Sequence, residues 1–211
     1  MEILRDRADA GRAVARLLEP LLAGDDALVL GIPRGGAVVA RSVADALDLE
    51  LDVLVVRKLG VPGHEEFGFG AIGEDDAQVL DQATLAMLGM GETVIETVIA
   101  RERAELERRV ATYRGGRPAP RVRGRTVVLV DDGIATGGTV RAAIAVCRER
   151  GAARVIVAAG VAPPEVIESL SHEADAAIAV LVPRRFEAVG QWFEDFRQTT
   201  DDEVVEALLR V

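Results

Sequence analysis

An apolar run, Val127-Val128-Leu129-Val130, ends in the paired acids Asp131 and Asp132 and then in the small-residue turn Gly133-Ile134-Ala135-Thr136-Gly137-Gly138-Thr139. These residue types suit an anion bound next to a polyol. Gly137 and Gly138 let the main chain come close to an anion, and successive N–H groups at the start of a helix supply partial positive charge to hold it. Thr136 and Thr139 add hydroxyl donors. Two ionised carboxylates at a strand end accept hydrogen bonds from vicinal hydroxyls or help to hold a hydrated magnesium ion. A phosphate at one end and a diol at the other describe ribose 5-phosphate.

The stretch from Val127 to Thr139 closely resembles the phosphoribosyl-diphosphate binding motif of the type I phosphoribosyltransferases. Within that family the chain is most similar to the poorly assigned bacterial branch. The resemblance implies that Asp131, Asp132, Gly133, Ile134, Ala135, Thr136, Gly137, Gly138 and Thr139 bind phosphoribosyl diphosphate. It also implies that Asp131 and Asp132 hold Mg2+, directly or through water. Gly31-Ile32-Pro33-Arg34-Gly35-Gly36 resembles the family's diphosphate loop, so that role falls to Arg34, Gly35 and Gly36. Arg57 and Lys58 resemble the Arg-Lys pair that ends a strand in orotate-type members and touches diphosphate. A buried strand would not tolerate two unpaired cations there, and an ion pair with the nearby acidic loop is the alternative.

The activity implied by the resemblance is Mg2+-dependent transfer of a 5-phosphoribosyl group to a nitrogenous acceptor, a nucleobase or related heterocycle, with release of diphosphate. Arg57, Lys58, Asp131 and Asp132 would be the catalytic set. One position departs from the purine-salvage members, which commonly carry an acid where this chain has Ala135. That departure argues against a hypoxanthine or guanine enzyme. Trp192 is a candidate for stacking on the acceptor ring, with core packing against the last helix as the preferred alternative. His64 lies in a segment, 60–76, whose glycines and acids suggest a lid like the one family members close over substrate. It would touch diphosphate or stay exposed. A different class of function remains open: a regulator that senses phosphoribosyl diphosphate and binds RNA or protein through a surface from Arg114 to Arg125. Turnover of a preformed nucleoside phosphate, without diphosphate, is a third reading.

The elements around these residues alternate. Val14, Leu17, Leu18, Leu21 and Leu22 form the stripe of an opening helix that stops before Gly24. Ala27 to Ile32 and Leu51 to Val56 read as strands flanking a helix with Val39, Val43 and Leu47 on one face. Thr93 and Glu96 form a capping box for a long helix with Ile95, Val98, Ile99, Leu106, Val110 and Tyr113 inside. The helix after the motif carries Val140, Ala143, Ile144 and Cys147 on one face. Two further strands, Arg154 to Val161 and Ala176 to Val182, are joined through Pro163-Pro164 and a short helix around Val166 to Leu170. A tail at 184–211, resembling a hood, holds Phe186, Trp192, Phe193 and Phe196 before a closing helix. The pattern predicts one α/β domain over 1–211, three-layered, with a mostly parallel sheet and helices on both faces.

Composition sets outer limits. With 211 residues, 49% of them hydrophobic and 3% aromatic, the chain can build an aliphatic three-layer core. A formal charge of −10 argues against nonspecific nucleic-acid binding. Arginines nevertheless crowd between Arg101 and Arg125, and the reading preferred is a solvated helix with pairs such as Glu105 and Arg109, followed by a polar connector. Cys147, the single cysteine, fits a buried structural thiol. His172 reads as structural. The absence of a signal region and of a membrane span predicts a cytoplasmic protein, and a homodimer is compatible with the sequence.

Overall fold

The computed structural model describes residues 3–209, apart from the side chains of Glu65 and Glu66. Those two acids of the expected lid, and the last two residues of the tail, lie outside the described residues. In chain order the first half comprises α1 (Arg7–Leu18), β1 (Ala27–Gly31), α2 (Gly35–Leu47), β2 (Glu50–Val53), β3 (Val56–Val61), β4 (His64–Gly73), β5 (Gln78–Leu80) and α3 (Gln82–Leu88). Then come α4 (Glu92–Arg114), β6 (Thr126–Gly133), α5 (Gly138–Glu149), β7 (Arg154–Val161), α6 (Pro164–Leu170), β8 (Ala176–Leu181) and α7 (Asp201–Leu209).

The main sheet runs β2-β1-β6-β7-β8, with every neighbouring pair parallel. Side chains alternate across it, as strand geometry requires. Val29, Val128, Val130, Ile156 and Ala158 pack with α1 and α2, whereas Leu28, Leu30, Val127, Leu129, Val155 and Val157 pack with α5 and α6. Burial on both faces explains why these strands are continuous apolar runs in the sequence. From β1 the chain moves outward to β2, and it later returns to the other side of β1 as β6. The strand order therefore reverses between β1 and β6, and their carboxyl ends open the crevice in which such sheets take ligands. Among the described residues no helix is long and apolar enough to cross a membrane.

The segment 60–76 is not an irregular loop. Most of it belongs to a second sheet, β3-β4-β5, which is antiparallel and has a register irregularity at Gly60. Its glycines look like loop residues in the sequence, yet they mark close approach. A Cβ on Gly70 would strike the Val79 carbonyl, and one on Gly73 would lie 2.5 Å from Val146 Cγ1 of α5. The expected strand Leu51 to Val56 is likewise divided. β2 ends at Val53, and after Leu54 and Val55 the chain enters β3, so Arg57 and Lys58 lie within the second sheet rather than at the end of the main one. The apolar run stays buried through the switch, which is why its break is invisible as a pattern.

Smaller corrections follow the same logic. α4 is capped by Gly91 with no side-chain cap, so the Thr93–Glu96 box does not form. Leu17 is exposed. Of the arginines in the alternative basic surface from Arg114 to Arg125, the first and the last are held by acids. Arg114 is 3% exposed and binds Glu74 through Nε and Nη2, Asp52 at 2.8 Å, and the Val53 carbonyl at 2.9 Å. Arg125 is held by Glu50 at 2.6 Å and Asp26 at 3.0 Å. The Arg114 cluster ties α4, β2 and the end of β4 together, and Glu74 also accepts the Val55 N–H at 3.1 Å.

Because removing one partner from a buried ionic cluster strands the others without compensation, Arg114→Met is expected to cost about 3–5 kcal/mol of stability. Urea denaturation of the variant checks this, and a loss below about 1 kcal/mol would show the cluster to be ornamental to the fold.

Candidate functional site

β6 carries Asp131 and Asp132 to the rim of the sheet, where the chain must turn sharply into α5. Ile134 anchors the turn: its side chain is buried and its N–H donates to the Val161 carbonyl at 2.9 Å. Ala135 and Thr136 are exposed beyond that anchor. Gly137 caps α5 with φ of 80°, a left-handed conformation that glycine takes without a steric penalty. Arg141 braces the turn from within α5, donating to the Thr136 carbonyl at 2.9 Å while holding Glu173 and Ser169. The result is a helix start with its N–H groups presented next to two threonines.

The turn after β1 packs directly against the acids. The peptide bond between Pro33 and Arg34 is cis. A Cβ on Gly35 would overlap the Asp132 carboxylate, and one on Gly36 would lie 2.5 Å from the Val130 carbonyl. Both glycines are therefore required by the approach of the two strand ends. The same Asp132 oxygen that crowds Gly35 accepts from Arg7 of α1, whose Nε donates at 2.7 Å. Arg7 also donates to the Arg197 carbonyl at 2.8 Å and lies 4.2 Å above the Phe196 ring, so it links the acid pair to the tail. Asp131 accepts the Asp132 N–H at 2.9 Å. Burial, then the neighbouring Asp132 carboxylate, push Asp131 well above the usual carboxylate range.

A cleft of about 470 Å³ gathers much of the expected site. Pro33, Thr136, Gly138 and Thr139 line it together with Arg57 and Lys58. The Lys58 side chain runs beside the start of α5, with Nζ 3.4 Å from where a Gly138 Cβ would stand. Arg57 is paired with Glu102 of α4 at 2.6 Å, and the acidic-loop alternative rests on Glu65 and Glu66, whose side chains lie outside the described residues. Arg101, Glu102 and Arg109 complete the wall. The acid pair lies against Gly35 and Gly36 rather than among the residues lining this cleft.

Other expected residues go elsewhere. The Arg34 guanidinium is 3.9 Å from Asp201 of α7. His64 is exposed where β4 begins and is not part of the cleft wall. Trp192 belongs to the core cluster on the α1 and α2 face, which supports packing over stacking. Cys147 is buried, and burial pushes its thiol up to about 12. Sequence reasoning missed Arg7, Arg141 and the α4 residues. Glu102 alone left a legible signal, an acid placed between Val98 and Leu106 at four-residue spacing on an otherwise apolar stripe.

Comparison with known proteins identifies the family and the fold. Residues 2–176 match the family model for the phosphoribosyl transferase domain. Two Mycobacterium tuberculosis proteins, named as candidate phosphoribosyl transferases, are each 44% identical over 210 residues. The match covers 100% of this chain and 47% of theirs, so the chain spans about half the length of the curated relatives it matches. The crystal structure of TT1426 from Thermus thermophilus superposes with a TM-score of 0.91 at 45% identity, covering 99% of this chain and 98% of that one. A hypoxanthine phosphoribosyltransferase from Staphylococcus aureus, at 14% identity, shares the fold with a TM-score of 0.51 over 88% of this chain and 79% of its own.

Two outcomes follow from the geometry. Lys58→Met should weaken binding of inorganic diphosphate by about tenfold in calorimetry, because it removes a charge-assisted donor; unchanged affinity would contradict a cationic cleft. The raised Asp131 favours the protonated form in the fold, so its contribution to stability is present below the ordinary carboxylate range and is lost as pH rises through the raised value. Asp131→Asn should therefore gain stability relative to wild type as pH rises, measured by urea midpoints across pH. A constant difference would contradict the assignment.

Proposed function

Since the chain belongs to the phosphoribosyl transferase domain family, we propose that it transfers a 5-phosphoribosyl group from phosphoribosyl diphosphate to a nitrogenous heterocycle. The observation that carries this reading is the convergence, in one cleft, of the Thr136–Thr139 helix start with Lys58, Arg57 and the turn at Pro33. One end offers backbone N–H groups and hydroxyls to a 5-phosphate. The other offers the Arg57 guanidinium to a diphosphate, with the Lys58 ammonium between the two, beside the start of α5.

In the reaction, the bond from C1 of the ribose to the diphosphate oxygen breaks, and the electron pair leaves with diphosphate. A bond from the acceptor nitrogen to C1 forms, and the acceptor loses a proton to solvent or to a nearby base. Lys58 and Arg57 stabilise the charge that grows on the leaving group. The Thr136–Thr139 turn fixes the 5-phosphate so that C1 meets the acceptor in line. Asp131 accepts from the ribose hydroxyls, while Asp132, neutralised by Arg7, keeps the β1 and β6 turns in register.

Mg2+ fits this donor set. Among the described residues no group of three or more His, Cys, Asp or Glu side chains gathers around a metal position. That suits an ion that is normally held by one or two carboxylates together with substrate oxygens and water. Asp131 would lose its proton on holding the ion, whose charge offsets the burial and the Asp132 carboxylate that otherwise favour its protonated form, and the ion would neutralise charge on the diphosphate oxygens. The acceptor class follows from Ala135, which leaves the turn without the acid used for purine rings in salvage members, and so favours a heterocycle other than hypoxanthine or guanine.

The test is diphosphate release from phosphoribosyl diphosphate and Mg2+ across a panel of heterocycles. Release with one acceptor class, reduced roughly a hundredfold in kcat/KM by Asp131→Asn, is expected. Tight ligand binding with no release across the panel would favour a sensor instead, and turnover independent of diphosphate would favour action on a preformed nucleoside phosphate.

A further inference from the structure

Glu102 is a buried acid inside a cleft otherwise built for anions. It is 7% exposed, with Val98 and Leu106 of the same helix stripe buried on either side. Its oxygens are divided between two arginines from different elements. Oε2 accepts from Arg57 Nε at 2.8 Å and lies 2.6 Å from Nη2, while Oε1 accepts from Arg101 Nε at 3.0 Å and lies 3.0 Å from Nη2. Each guanidinium is thus gripped along one edge, and most of its N–H donors are left for another acceptor. Arg57, Arg101 and Glu102 all line the cleft that contains Lys58 and the Thr136–Thr139 turn.

By charge alone, a carboxylate here opposes the binding of an anion. Its geometric effect runs the other way. Two guanidiniums brought side by side repel each other and carry large side-chain entropy, so without an anchor they would scatter into solvent. A carboxylate that bonds both fixes their spacing before the ligand arrives, and a planar fork held in advance loses less on binding a phosphate group. Arg101 is 59% exposed as a side chain, yet it is tied at its Nε edge, which a purely solvated arginine would not require.

We propose that Glu102 is a positioning residue that holds Arg57 and Arg101 as a preorganised pair for the diphosphate group, and that Arg101 binds diphosphate alongside Arg57 and Lys58. This rests on the reading of the cleft as the seat of phosphoribosyl diphosphate. Inorganic diphosphate and ribose 5-phosphate probe the two ends separately, because only the former needs the arginines.

Calorimetry on the full chain would compare wild type with Glu102→Gln, Arg101→Met and Lys58→Met. Glu102→Gln is expected to weaken diphosphate by about tenfold while ribose 5-phosphate stays within about twofold. A purely electrostatic role predicts the opposite sign, so unchanged or tighter diphosphate binding overturns the proposal. Equal losses for both ligands also overturn it, since they indicate a structural role. Should Glu102→Gln fail to fold, Arg101→Met decides: about tenfold weaker diphosphate binding supports the proposal, and wild-type affinity overturns it. If Lys58→Met weakens diphosphate but the Glu102 and Arg101 variants do not, this inference falls and the proposed function stands. If wild type binds neither probe nor phosphoribosyl diphosphate, both fall together.

Discussion

The close approach of two strand-end turns governs the site. Gly35 and Gly36 after β1 lie so near Asp131, Asp132 and the Val130 carbonyl of β6 that no side chain fits between them. A parallel sheet with its order reversed at this point places the two turns side by side, and the absent Cβ atoms let them touch. The acids then sit in a partly buried position that repels a second negative charge, which is why Asp131 is raised and Asp132 is neutralised by Arg7. Arg7 extends that constraint outward. Its contacts with the Arg197 carbonyl and the Phe196 ring make the tail part of the support for the acid pair.

Electrostatics divides the molecule into two regimes. The chain carries a formal charge of −10, yet Arg57, Lys58, Arg101 and Arg109 line one cleft with Glu102 as the acid among them. Local concentration of cations on an acidic protein attracts a small anionic ligand without making the whole surface attractive to polyanions. Other arginines serve the scaffold: Arg114 inside, Arg125 between Glu50 and Asp26, Arg141 behind the turn into α5. Position, rather than number, separates the arginines that line the cleft from those that tie the scaffold together.

Much of this was legible in the sequence because the central strands of the main sheet, β1, β6 and β7, are buried on both faces. Continuous apolar runs marked β1, β6, β7 and β8 closely, and the glycines after β6 marked the turn into α5. What escaped was whatever depends on partners distant in sequence. Glycines in β4 read as a loop, since a missing Cβ looks the same whether the chain is free or pressed against Val79 and Val146. Arg114 read as the start of a polar connector because Glu74 and Asp52, its partners, come from segments far away. The sheet switch at Leu54 and Val55 left no trace, because burial continues across it. Arg7 gave no signal at all: an arginine in the first turn of an amphipathic helix is ordinary until the fold brings it to Asp132.

The central claim is that a phosphorylated pentose spans the cleft from the start of α5 to the cations of β3. A crystal structure of the protein with phosphoribosyl diphosphate and Mg2+ tests it most directly. The account predicts density for the 5-phosphate at the N–H groups of Gly137 to Thr139 and for the diphosphate beside Lys58 and Arg57. Ligand density against any other face of the protein, with this cleft occupied by solvent, would contradict it.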